Sequence, residues 1–488
     1  LKKDVIYVYE FLKKKYSEKL ISKVEINKLS DKLLALLTST QLELYEFIKS
    51  KNGGAILGDL IKETSISRSV FKTLEKKNII SIKKVPISRL KDFSDDIKPV
   101  KTLSNDQNQV FNDINQIFKK KNVCLLHGVT SSGKTEIYIK LIEQEIKKGK
   151  QVLYLLPEIA LTIQIIKRLQ NHFGNKVGVF HSNLNNSERV EVWKSIQGKY
   201  SILLGVRSSV FLPFKKLGLV IVDEEHDSSY KQQQPSPRYN ARDSVIYLAS
   251  LFGAKVLLGS ATPSIESYYN ASKGKYGFVE LLTRYSDIKL PKIDTFDIKK
   301  GVLKKEMTSF FSKKLIDEIS NQLEKNKQVI LFQNRRGYSK VLSCDSCGVA
   351  ISCKYCSVSL TFHKRFNNLR CHYCGYTESI ENTCITCGHN SFIKKGFGTE
   401  QVVEALQELF PDSRIARMDH DTTRKKNAYE EIILDFQQLN IDILVGTQMI
   451  TKGFDFDNVS LVGIIDADSI LNYPDFRSHE RAFQLMSQ

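Results

Sequence analysis

Along residues 96–290, short unbroken apolar runs at 151–156, 177–180, 202–204, 219–222 and 256–258 alternate with longer stretches whose apolar residues recur at helical spacing. The first pattern predicts buried strands, and the second predicts helices that each bury one face. Repeated strand–helix units build a parallel sheet that binds ligands beyond the carboxyl ends of its strands. The alternation resumes at 329–332, 414–418, 441–445 and 461–465. The expected fold class is therefore α/β with two parallel-sheet lobes. The first is 96–290, and the second is divided into 291–340 and an incomplete 396–488 by an unlike segment at 341–395.

Upstream the pattern changes. Short helical patterns at 31–37, 41–50, 56–63 and 67–76 precede an apolar strand at 79–82. Helices followed by a strand suit a winged-helix DNA-binding domain over 31–95, and they also suit a small helical bundle packed on the lobe behind it. Residues 1–30, lysine-rich and poorly patterned, read as the end of a linker. Residues 91–100 read as a second, polar linker, and Ser104 caps the helix that follows.

Chemistry enters at the first strand of the first lobe, which runs into Gly128-Val129-Thr130-Ser131-Ser132-Gly133-Lys134-Thr135. Gly128 and Gly133 let the backbone curl so that successive N–H groups and a helix N-terminus face one anion. Lys134 is placed to reach the β- and γ-phosphates of ATP, and the Thr135 hydroxyl to ligate Mg2+. A later apolar strand delivers Asp223-Glu224-Glu225-His226 to its carboxyl end. Asp223 is expected to hold Mg2+ through water, and Glu224 to orient or deprotonate the attacking water. The hydroxyls of Gly259-Ser260-Ala261-Thr262-Pro263 can bond both these acids and a neighbouring lobe. Lys134, Asp223 and Glu224 are thus the expected catalytic residues.

Composition alters this picture in three ways. Lys and Arg number 73 against 54 Asp and Glu, a formal charge of +19 that favours a polyanionic partner such as nucleic acid. Between the acids and the next strand, residues 228–243 interleave aromatic, basic and amide groups. Tyr230, Arg238 and Arg242 there suit single-strand binding by stacking and phosphate contact, or else Tyr230 and Tyr239 simply pack. No apolar run approaches the ~18 residues that a bilayer requires, and no secretory signal opens the chain, so a cytoplasmic location with no membrane partner is expected.

Eight of the nine cysteines stand as four C-x-x-C pairs: Cys344 and Cys347, Cys353 and Cys356, Cys371 and Cys374, Cys384 and Cys387. They can supply two closed, tetrahedral Zn2+ sites, with an iron–sulfur cluster as the other reading. A nested pairing, with Cys353, Cys356, Cys371 and Cys374 around one ion, comes near the usual zinc-ribbon spacing. His363, His372 and His389 are given no ligand role. Cys124 reads as a small buried residue rather than a nucleophile.

The motifs occur in a telling order. The loop at Gly128 is followed by Pro157-Glu158-Ile159-Ala160-Leu161-Thr162, Gly205-Val206-Arg207-Ser208-Ser209, Asp223 to His226 and Gly259 to Thr262. Asn334-Arg335-Arg336-Gly337-Tyr338 and Gly446-Thr447-Gln448-Met449-Ile450-Thr451-Lys452-Gly453 complete the series. With eight cysteines inserted after Tyr338, the chain resembles the bacterial replication-restart DNA helicases of superfamily 2. The resemblance implies RecA-like lobes, nested zinc pairing in a zinc-ribbon-like insertion, and ATP-driven 3′ to 5′ unwinding at stalled or collapsed forks with primosome assembly. It implies single-stranded and forked DNA, single-stranded DNA-binding protein and helicase-loading proteins as partners. Arg207, Arg335 and Arg336 would face the DNA backbone or the cleft.

Set against that resemblance, the sequence given, Leu1 to Gln488, is expected to stop short of the arginines that in this family reach the γ-phosphate and to leave out the family's domain for capturing a DNA 3′ end. The chain itself is therefore expected to bind ATP and DNA but to turn ATP over weakly. Two other readings stay open. One is an RNA-directed motor of the same superfamily, and the other is a helicase-loading scaffold in which ATP only switches affinity.

Overall fold

A computed structural model of the chain describes residues 16–27, 37–51, 54–90, 97–157, 163–284, 291–333 and 342–487, the last span without 357, 364–367, 372, 380–382, 395–397, 420–421, 424–427, 448–449, 451–455 and 472–473. Seven parallel strands build the first large sheet, in the order Gly277–Leu281, Val123–Gly128, Lys255–Ser260, Leu217–Val222, Gln151–Leu155, Ile202–Gly205, Val177–Phe180. Every residue of Leu217–Val222 is buried because helices cover both faces of the sheet. Leu219 and Ile221 point to the face that carries Asn105–Lys120, Lys134–Lys147 and Ile163–Phe173. Val220 and Val222 point to the face that carries Asn186–Ser195 and Ala241–Phe252. Gly277–Leu281 is the strand that the run pattern missed. It alternates buried and exposed positions at the sheet's edge and so contains no unbroken apolar run.

The second large sheet has four parallel strands, in the order Ile415–Met418, Ile443–Gly446, Gln328–Gln333, Val459–Ile465. Lys313–Glu324 and Thr399–Leu409 cover one face, and Ala428–Gln437 and Ser478–Ser487 cover the other. Two parallel sheets, each enclosed by helices, are the α/β pair that the alternation predicted and the RecA-like lobes that the resemblance implied.

The N-terminal boundary needs correction. Lys19–Ile26, inside the stretch read as linker, is the central strand of an antiparallel sheet and pairs with both Gly54–Ile56 and Ile80–Ile87. Only Val24 in it is fully buried, so its sequence carries no strong apolar signature. Ser39–Ser50, Leu57–Thr64 and Arg68–Lys76 close over the sheet around Leu44, Ile48, Phe71 and Leu74. Arg89 Nη1 (2.5 Å from Glu191 Oε1) and Ser88 Oγ (3.1 Å from Oε2) tie this module to the first lobe's Asn186–Ser195. The helix expected at 31–37, apart from Leu37, and residues 91–96 of the polar linker lie outside the described residues.

Leu342–Cys344 pairs with Phe392–Lys394 across the two ends of the cysteine-rich insertion. Within it, Thr361–His363, Asn368–Arg370 and Thr377–Ser379 form a small antiparallel sheet. Among the described residues no helix is long and apolar enough to cross a membrane.

Candidate ATP site and metal centres

The glycine-flanked loop leaves the carboxyl end of Val123–Gly128, and Lys134 opens the helix behind it. Gly133 has φ +83°, and a Cβ there would come 2.2 Å from Gln107 Nε2, which itself donates to Ser132 O at 3.3 Å. Only glycine serves at this position. Val129 N donates to Leu281 O at 3.1 Å, which anchors the loop to the edge strand. Lys134 Nζ folds back onto Gly128 O at 2.8 Å and Val129 O at 3.3 Å. Thr130 and Thr135 are half-buried, and Ser131 has φ +61°. The buried Ser132 Oγ has no hydrogen-bond partner among the described residues. A helix N-terminus, a lysine and an unpartnered hydroxyl on one loop form a donor set that fits an oligophosphate.

Lys255–Ser260 lies between the loop's strand and Leu217–Val222, so Asp223 emerges across a single strand from the loop. Asp223 keeps part of its surface open while two phenols grip its carboxylate. The Tyr138 hydroxyl donates to Oδ1 at 3.1 Å, the Tyr154 hydroxyl to Oδ2 at 3.0 Å, and Glu224 N to Oδ1 at 3.1 Å. Burial pushes the Asp223 carboxyl above its usual range, against the pull of Lys134 and these donors. A divalent cation at this carboxylate would favour its charged form, so the acid fits the Mg2+ role expected of it.

Glu224 has φ +46°, a left-handed backbone that costs a non-glycine residue about 1–3 kcal/mol and recurs at functional sites. The surroundings hold it there. Glu225 N donates to Gly259 O at 3.0 Å, and Asp227 N to Glu224 O at 2.8 Å. His226 Nδ1 lies 2.7 Å from Ser260 Oγ and 3.6 Å from Glu224 Oε2, and Thr262 N donates to Ser260 Oγ at 2.9 Å. Of the small hydroxyl residues after Gly259, Ser260 thus reaches the acidic turn, through His226 and not through an acid, while Thr262 bonds Ser260 by its backbone amide.

Sequence reasoning gave Glu225 no role of its own. Its buried carboxylate accepts from Ser264 N (2.7 Å), Ser264 Oγ (3.0 Å), Ser267 Oγ (2.7 Å) and Arg242 Nη1 (3.0 Å). The available signal was a further acid directly after Asp223-Glu224 at the end of a buried strand.

This network corrects two expected nucleic-acid contacts. Arg242 is the counterion of Glu225, without which a buried carboxylate would be strongly unfavourable, so its guanidinium faces inward. The Tyr230 ring is 1% exposed, and its hydroxyl lies 2.6 Å from Asp223 O and 3.1 Å from Leu155 O. It packs instead of stacking on a base. Arg207 Nη1 lies 3.2 Å from Ser229 O and 3.3 Å from Lys231 O and shapes the loop between them. Arg238 is exposed on that loop. Arg335 and Arg336 lie outside the described residues, as do 158–162, 448–449 and 451–453.

The eight insertion cysteines gather into two nested sets: Cys344, Cys347, Cys384 and Cys387, and Cys353, Cys356, Cys371 and Cys374. Within each set all sulfurs lie within 4.8 Å of one another. Cys344 and Cys387 Sγ are 3.5 Å apart, Cys347 and Cys384 Sγ 3.5 Å, and Cys353 and Cys374 Sγ 3.6 Å. A thiolate tetrahedron with Zn–S bonds of ~2.3 Å has edges of ~3.8 Å, so both sets fit zinc. Burial raises the Cys384 thiol, but the backbone N–H groups of Cys387 and Thr386 help bring it down to about 6. Cys371 is brought to about 7 in the same way by Cys374 and Tyr373. Cys124, apart from both sets, is pushed by burial up to about 12 and stays a neutral thiol.

Residues 104–271 match the DEAD/DEAH box helicase family, and residues 353–378 match the PriA DNA helicase Cys-rich region (CRR) domain. The chain is 39% identical to replication restart protein PriA of Bacillus subtilis over 475 residues, which cover 96% of this chain and 58% of that protein. It is 45% identical to the Haemophilus influenzae protein of the same name over 368 residues, 75% of this chain and 50% of that protein. It is also similar, at 15% identity and a TM-score of 0.42, to RecG bound to a three-way DNA junction, over 88% of this chain and 44% of that one. The chain thus spans somewhat more than half the length of the Bacillus protein and half that of the Haemophilus protein. Identity to PriA that runs through the ATP-site lobe, the cysteine-rich insertion and the second lobe shows that the chain belongs to the PriA family.

Proposed function

We propose that the chain is the motor portion of an ATP-dependent DNA helicase that unwinds DNA 3′ to 5′ at stalled or collapsed forks and prepares them for primosome assembly. The observation that carries this reading is the convergence of the Lys134 loop and Asp223-Glu224 on strands separated only by Lys255–Ser260. Lys134, Thr135 and the amides of residues 128–133 bind the triphosphate, and Asp223 holds Mg2+. When bound, Mg2+ neutralises charge that develops on the phosphates. Glu224 orients the attacking water and takes its proton, while Tyr138 and Tyr154 keep the Asp223 carboxylate in place. His226 and Ser260 link this acidic turn to the segment that leads toward the second lobe. The two thiolate sets hold structural Zn2+. Arg238 and the exposed part of the 228–240 loop contact single-stranded or forked DNA. Helicase-loading proteins and single-stranded DNA-binding protein are the partners the family suggests.

The test is ATP turnover by the chain with forked DNA, single-stranded DNA and RNA, alongside Lys134→Ala. DNA-stimulated turnover that the substitution abolishes is the expected result. Equal stimulation by RNA would replace this reading with an RNA-directed motor. Helicase loading at forks that survives Lys134→Ala would replace it with a scaffold.

A further inference from the structure

The helix Ile265–Ser272 follows the Gly259–Pro263 turn of the first lobe, and both lobes grip its N-terminus. From the first lobe, Glu225 Oε1 accepts from Ser264 N at 2.7 Å. From the second, Glu480 Oε1 accepts from the next amide, Ile265 N, at 3.1 Å. First-turn amides have no partner inside their own helix and lie at the positive end of its dipole, so carboxylates on adjacent amides are well placed. Each acid also has a guanidinium. Arg242 serves Glu225, while Arg477 donates to Glu480 Oε2 at 3.2 Å and forks onto both oxygens of Glu266.

Little slack separates this contact from the acidic turn. Donors from Ser264, Ser267 and Arg242 occupy both Glu225 oxygens, and Glu225 directly follows Glu224 in its left-handed conformation. On the second lobe, the Arg477 guanidinium lies 5.2 Å from the Phe476 ring centroid, and Arg477 N donates to Asp475 Oδ1 at 2.9 Å. Phe476 in turn meets Tyr373 edge-to-face at 5.9 Å, and Tyr373 stands between the thiolates Cys371 and Cys374.

We propose that Arg477 and Glu480 form an interlobe latch on the Ile265–Ser272 helix, which transmits the second lobe's placement through Ser264 and Glu225 to Glu224. Arg477 touches none of the groups assigned to nucleotide and is a positioning residue. The inner cysteine set braces the latch through Tyr373 and Phe476. The role of the latch in turnover rests on the assignment of Glu224 to the attacking water.

The test uses the whole chain, with two dyes attached through unnatural amino acids at exposed Lys119 and Gln438, one in each lobe. Energy transfer gives the interlobe distance distribution, and ATP turnover on forked DNA is measured beside it. Arg477→Ala and Glu266→Ala are expected to broaden the distribution and lower kcat about tenfold, the scale of an ordinary coupling free energy. KM for ATP should stay within about twofold, because ground-state binding is untouched. Arg477→Lys, which keeps a cation for both Glu266 and Glu480, should restore most of both readouts relative to Arg477→Ala, and zinc content measured in each variant reports that the insertion keeps its fold. Alanine variants that leave the distribution and kcat unchanged would overturn the latch, and so would Arg477→Lys behaving no better than Arg477→Ala. If the parent chain shows no DNA-stimulated turnover, the proposed function fails while the distance distributions still decide the latch.

Discussion

At Gly259 a missing Cβ lets the Tyr138 hydroxyl reach Asp223, because a methyl group there would lie 1.8 Å from that oxygen. Gly259→Ala should therefore displace Tyr138 and destabilise the packed first lobe by about 1–3 kcal/mol. Differential scanning calorimetry beside ATP turnover checks this, with a lower kcat expected as the Asp223 carboxylate loses a donor. Glu266 allows a prediction with a definite sign. The Arg477 fork holds its carboxyl at about 2, below the usual 4.5. A depressed carboxylate contributes fully above its unfolded value and loses that contribution as pH falls through its folded value. Interlobe energy transfer should accordingly stay flat between about pH 8 and pH 5, and a midpoint inside that window would contradict the assigned ion pair. Individual residues also show where local reading fails. Tyr230 and Arg242 have the composition of a strand-binding loop, yet both turn inward, since a tyrosine between Leu155 O and Asp223 O and a guanidinium on buried Glu225 are committed before any ligand arrives.

Among elements, the cysteine knuckles were the most legible, because C-x-x-C spacing by itself brings two sulfurs to one side of a tight turn. The nested pairing expected from spacing and from the resemblance is the one seen, and the strands Leu342–Cys344 and Phe392–Lys394 account for it by bringing Cys344 and Cys347 toward Cys384 and Cys387. Cys353→Ser should lower bound zinc from two ions per chain to one, read by elemental analysis. Amide exchange should then rise around Thr361–Ser379 while the first lobe stays protected, since the insertion has its own small core of Leu360, Phe362 and Leu369. Loss of both ions, or of none, would show that the sets are not separate sites. Lys19–Ile26 was the least legible element. Lys19, Ser22, Lys23 and Glu25 interrupt its apolar residues and Leu20 is exposed, so only its partners Gly54–Ile56 and Ile80–Ile87 make it a strand.

For the whole molecule, the +19 formal charge sets an expectation that site geometry does not. Affinity for single-stranded or forked DNA should fall steeply as salt rises, because bound lysines and arginines release counterions. Fluorescence anisotropy across a salt series measures the slope, and a flat response would remove the polyanion argument. The same scale divides what could be read early from what could not. By itself the sequence determined the strand–helix alternation, the anion-binding loop, the acidic strand end and the metal-binding knuckles. Each depends on periodicity or on residues a few positions apart, where backbone geometry dictates what neighbouring side chains can do. The tertiary structure alone decided which tyrosines and arginines turn inward, and that Glu480 meets the amide of Ile265 from 215 positions away. Burial and counterion pairing depend on neighbours that only the folded chain brings together.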